Sequence, residues 1–170
     1  MKFTTAAVIA AFGLLQFASA NFDVYRVLDA TAVPDENPEP AIDEYMIFEA
    51  EPSCDDVENG VNWNESDDVS GDKQGVRVKG DIDPNDPGKI EELEMNFHDS
   101  DPIYHWTIYK DRNYDLTGLD GNTYGNCIPF PGDDFQCNFP LPLGVATKSG
   151  VRMFRCLTDV TAEQIQSTRG

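Results

Sequence analysis

The chain has 170 residues, with 31 Asp and Glu against 12 Lys and Arg, a net charge of −19 and an apolar content of 40%. With no cluster of Lys and Arg, so acidic a chain is not built to grip a phosphate backbone or an anionic membrane surface. Its charge favours solubility, weak cation binding and basic partners, and it leaves room for an enzyme with a local cationic site.

Residues 1–20 read as a secretory signal peptide. Lys2 supplies the positive start, AAVIAAFGLL a short apolar run, and Ala18-Ser19-Ala20 a small-residue cleavage signature before Asn21. No stretch is long and apolar enough to span a membrane, and the C-terminal IQSTRG is too polar for a lipid-anchor signal. Residues 21–170 then form a single secreted, extracellular domain, large enough to bury a core of its own.

Phe22 to Leu28 reads as a first strand with imperfect alternation. Residues 29–44, rich in acid and Pro, read as an exposed loop. Glu44 to Ala50 is a second strand. Ser53 caps a short helix with acids in its first turn and Gly60 as its terminator. Asn64-Glu65-Ser66 is the one glycosylation sequon and places Asn64 on an exposed loop. Val76 to Gly80 is a further strand. Ile90 to Lys110 has the clearest pattern: Leu93, Met95 and Phe97 alternate with polar residues, as do Tyr104, Trp106 and Ile108 across the turn Asp99-Ser100-Asp101-Pro102. This predicts a hairpin pairing Phe97 with Tyr104, Met95 with Trp106 and Leu93 with Ile108, since a one-residue slip would move every apolar group to the polar face. One or two strands follow between Tyr114 and Gly125. Residues 138–150 read as a Pro-containing connection. Val151 to Leu157 is the last strand, and Thr161-Ala-Glu-Gln164 opens a terminal helix with a capping box. The fold class is α+β, mainly β: an antiparallel sheet curled into a small barrel or sandwich, with one or two short helices, stapled by disulfides.

Four cysteines in a secreted chain imply two disulfides with three possible connectivities. Proximity in sequence favours a local Cys127–Cys137 bridge, leaving Cys54 with Cys156. No Cys or His pair has zinc-ligand spacing, and no cofactor is expected.

The signal peptide together with FDVYRV, AEPSCDDV, DVSGDKQGVR, YHWTIYKD, LDGNTYGNC and FRCLT resembles a family of small secreted proteins of filamentous fungi, over nearly the whole mature chain. The resemblance implies secretion and disulfides, and an effector-like role for some members. It implies no reaction and carries over no catalytic residue.

Three constellations bear on function. Glu94, His98 and His105 share the polar face of the hairpin and, with Arg77 or Arg112, have the residue types for acid–base cleavage of RNA; a solvated polar face is the plainer reading. Asp81, Asp83, Asn85 and Glu92 mimic a calcium loop, but Asp86 replaces the required Gly and two prolines interrupt it, so an acidic turn is the plainer reading. Phe130, Phe135, Phe139 and Leu141 form either a pinned recognition surface or a cap on the sheet core. The sequence contains no nucleophile elbow and no phosphate loop. A monomeric interaction protein for an extracellular protein or glycan is expected, with a ribonuclease-like hydrolase or a weak calcium module as alternatives.

Overall fold

A computed structural model of the chain describes residues 21–32, 42–98 and 103–168. The leader expected at residues 1–20, residues 33–41 of the acidic loop and the turn at residues 99–102 lie outside the described residues.

In chain order the elements are β1 (Asn21–Ala32), β2 (Ile42–Phe48), α1 (Cys54–Asn59), β3 (Trp63–Asn64), β4 (Gly75–Gly80), β5 (Ile90–Asn96), β6 (His105–Tyr109), β7 (Asp115–Gly118), β8 (Thr123–Pro129), β9 (Phe135–Leu141), β10 (Gly144–Thr158) and α2 (Ala162–Ser167). The sheet runs β3-β2-β1-β10-β8-β7-β6-β5-β4 in spatial order, and its neighbouring strands are antiparallel. A parallel bridge from Glu65 to Val76 brings its two ends together, so the sheet is a nearly closed barrel. The hairpin register is the one the alternation requires. Met95 pairs with Trp106 and Leu93 with Ile108, while Phe97 donates its N–H to the Tyr104 carbonyl at 2.9 Å.

Side chains fill the barrel interior. Phe22, Tyr45, Trp63, Phe97, Trp106 and Phe154 are all buried there. Phe97 sits edge-on to both tryptophans, 4.7 Å from Trp63 and 6.0 Å from Trp106, while Phe22 stacks on Trp106 at 5.8 Å. Edge-on and offset contacts satisfy the ring quadrupoles. Ala162 and Ile165 of α2 join this core, and Gln166 Nε2 donates to the Ile47 carbonyl.

The imperfect alternation of β1 has a physical cause: the strand is buried on both faces. Phe22 and Val24 face the barrel interior, whereas Tyr25 and Val27 face outward into a second core. That core is completed by Met46 and Phe48 of β2, Val57 of α1 and Phe135 and Cys137 of β9. The capping box on α1 forms, with Ser53 and Asp56 bonded reciprocally. Gly60 ends α1 in extended backbone. A Cβ there would lie 2.8 Å from the Asp56 carbonyl oxygen, so close backbone packing favours the glycine.

Three expectations are corrected. The disulfides join Cys54 to Cys137 and Cys127 to Cys156. Cys127 and Cys156 stand directly opposite each other on β8 and β10, whereas β9 pairs with a more distal part of β10, putting Cys137 within reach of α1. Residues Asp29 to Ala32 and Ile42 to Asp43 are strand, because β1 continues along β10 as far as Val145. Residues Gly144 to Gly150 likewise belong to β10, held between β1 and β9, while Pro140 occupies the edge strand β9.

Candidate functional site

The outer face of β4–β5–β6 carries the acid–base candidates, because alternation turns their apolar neighbours inward. Register places Arg77 opposite Glu94 and His105 opposite Asn96. Arg77 Nε donates to Glu94 Oε2 at 2.8 Å, and a second guanidinium nitrogen lies 2.7 Å from the same oxygen. His105 Nε2 lies 2.9 Å from Glu94 Oε1. The Glu94 carboxylate thus engages one cation and one imidazole, and it holds the Arg77 guanidinium above its ordinary value. Nε2 is the ring nitrogen that meets Glu94, and Nδ1 has no hydrogen-bond partner among the described residues.

Access decides what this group can do. The His105 side chain is 1% exposed, Glu94 16% and Arg77 32%. Residues 66–74 form a strap held to Asn96, the residue opposite His105. Asn96 Nδ2 donates to the carbonyls of Val69, Gly71 and Lys73 at 2.9–3.2 Å, and Val69 is itself buried. The imidazole is therefore enclosed, and the Glu94 carboxylate joins it to the partly exposed Arg77 guanidinium.

The other expected members are elsewhere. His98 is exposed, 6.2 Å from the Tyr104 ring, and Arg112 lies over the Tyr109 ring at 4.2 Å. In the acidic turn, Asp83 accepts from Lys89 Nζ at 2.6 Å and from the Asn85 N–H, and these donors hold its carboxyl below the usual range. Glu92 is paired with Lys79 on β4. Among the described residues, no group of three or more His, Cys, Asp or Glu is placed to hold a metal ion.

The aromatic stretch divides. Phe135 is buried in the second core and Phe139 packs half-buried against it. Phe130 and Leu141 are exposed. The Phe130 ring lies under two guanidiniums, 4.4 Å from Arg152 and 4.7 Å from Arg155. Both arginines converge on Asp23, which is fully buried: Arg155 donates to both its oxygens at 2.6 and 2.7 Å, and Arg152 to one at 3.1 Å. Sequence reasoning missed this cluster. Its signal was present as charges inside the apolar strands FDVYRVL and VRMFRCL.

A cleft of about 750 Å³ lies between α1 and α2. Phe48, Pro52 and Ala162 contribute apolar surface, and Glu49, Glu51, Asp55 and Glu163 line it as acids. Those four side chains are exposed, with no cationic partner among the described residues. Asp56, beside them, is engaged by the Ser53 cap, which holds its carboxyl down. A second hollow of about 650 Å³ is lined by Lys79, Tyr109 and Arg112 among others.

Comparison with known proteins matched no family model, no curated protein and no solved structure. Two disulfides are typical of extracellular proteins, and no described helix is long and apolar enough to cross a membrane.

Proposed function

We propose that this chain is a secreted extracellular interaction protein, effector-like in kind, that receives a basic segment of its partner in the cleft between α1 and α2. The observation that carries this reading is the mismatch of charge in that cleft. Elsewhere Arg26, Lys73, Arg77, Lys79, Lys89, Lys148, Arg152 and Arg155 are all paired with carboxylates. The cleft instead keeps four carboxylates facing a concave, partly apolar hollow, where low-dielectric walls focus the field on an incoming cation. The buried state of His105 supports binding over acid–base catalysis at the barrel face.

The test is the affinity of a lysine-rich peptide for the mature chain, measured by calorimetry and compared with a Glu51→Gln/Asp55→Asn/Glu163→Gln variant. Three rim pairs at roughly 0.5 kcal/mol each weaken binding about tenfold. Equal affinity in the variant overturns the assignment of the cleft.

A further inference from the structure

The barrel closes through very few described bonds, and Glu65 and Ser66, which make them to β4, belong to the glycosylation sequon Asn64-Glu65-Ser66. β3 is two residues long: Trp63 points inward into the core and Asn64 outward into solvent. On one side β3 pairs with β2, Asn64 opposite Glu44 and Trp63 opposite Tyr45. On the other side, the described contacts with β4 are the bridge from Glu65 to Val76 and the Ser66 N–H donated to the Val76 carbonyl at 2.9 Å. Gly75 approaches so near that a Cβ on it would lie 2.7 Å from the Asn64 carbonyl oxygen, and its φ of 149° suits only glycine. From Arg77 to Gly80, β4 has its ladder with β5 and no described strand on its other side. A short seam beside an open strand edge is where a second chain can add a strand.

We propose that Asn64 carries an N-linked glycan and that this glycan guards the seam against edge-to-edge pairing. The Asn64 side chain suits the role: it is exposed, alternation turns it away from the core, and no described hydrogen bond engages it. In the transfer, Asn64 Nδ2 bonds to the anomeric carbon of a lipid-diphosphate-linked oligosaccharide. The bond from that carbon to the diphosphate oxygen breaks, the lipid diphosphate leaves with the electron pair, and the amide gives up one proton to the transferase. A bulky, hydrated oligosaccharide at this point covers the bridge and sterically excludes a second strand. The inference is independent of the α1–α2 cleft and needs only passage through the secretory pathway.

The experiment expresses the full chain behind an established secretion leader in a eukaryotic host and maps the peptide containing Asn64 by mass. The expected result is an occupied Asn64, converted to Asp by peptide N-glycosidase, with the modification absent from Asn64→Gln. A secreted protein with unmodified Asn64 overturns the site. The guarding role is read by sedimentation of the folded glycoprotein before and after enzymatic removal of the glycan, so that it does not depend on how the variant folds. Concentration-dependent association after removal supports the role, and an unchanged monomer at the same concentrations overturns it.

Discussion

Removing the Cys54–Cys137 bridge should release α1 while the barrel stays intact. The bridge spans a sequence separation of 83, against 29 for Cys127–Cys156. Chain-entropy arithmetic gives about 4.5 kcal/mol for the longer loop and about 3.6 kcal/mol for the shorter one, each taken alone. Location sharpens the contrast. Cys127 and Cys156 are both fully buried in the barrel core, whereas Cys54 opens the six-residue α1 and Cys137 sits in the second core. A helix that short has no stability of its own and depends on Val57 and the bridge to stay docked. In a Cys54→Ala/Cys137→Ala variant, urea unfolding should show a loss of about 4 kcal/mol, and amide exchange should show α1 and β9 losing protection while β5 and β6 keep theirs. Non-reducing peptide maps of the parent should give Cys54–Cys137 and Cys127–Cys156. A loss below about 1 kcal/mol, or α1 amides as protected as those of β5, would show that the bridge does not hold the second core together.

Three further outcomes follow from other parts of the fold. Asp23→Ala removes the buried carboxylate shared by Arg152 and Arg155, leaving Arg152 with the Asp133 carboxylate alone, and should cost about 2–4 kcal/mol in urea unfolding; a loss under about 1 kcal/mol would mean that Asp133 and solvent replace it. Gly150→Ala places a Cβ 2.1 Å from Phe135 Cε1 and should destabilise by about 1–3 kcal/mol, with the penalty shrinking when combined with Phe135→Ala; additive losses would place the clash elsewhere. Burial, helped by the neighbouring Asp23, pushes the Tyr25 phenol up to about 12. The folded state therefore keeps a proton that the unfolded chain loses near 10, so this stabilisation is full below that value and disappears as pH rises through about 12. Ultraviolet titration should show this late phenol, and its absence in Tyr25→Phe would assign it.

The hairpin was legible because strict alternation over two adjacent segments admits one register. That register alone also brought Glu94 and His105 onto one face, and the pairing of β4 with β5 sets Arg77 beside them. The burial of His105 was not legible, since the strap tied to the neighbouring Asn96 is polar apart from Val69 and is held through backbone carbonyls that any sequence supplies. The disulfide pairing escaped for a related reason. Cys127 and Cys137 are neighbours in sequence, but β8 and β9 lie one after the other along β10, and only the long pairing of that strand with β1 shows it. Residues 29–32 and 144–149 looked like loop because Asp29, Lys148 and Thr147 are strand residues with polar side chains, tied instead by ion pairs and a side-chain bond to Asn138.

Recognition through the α1–α2 cleft is best tested by titrating the ¹⁵N-labelled chain with a lysine-rich peptide and following every amide. The shifts should concentrate on residues 49–56 and 162–167, saturate together, and weaken as salt rises. Shifts spread evenly over the remaining acidic surface, at Asp81, Asp86 and Asp111 as much as at Glu51 and Glu163, would mean that the cleft confers no recognition beyond the charge of the whole chain.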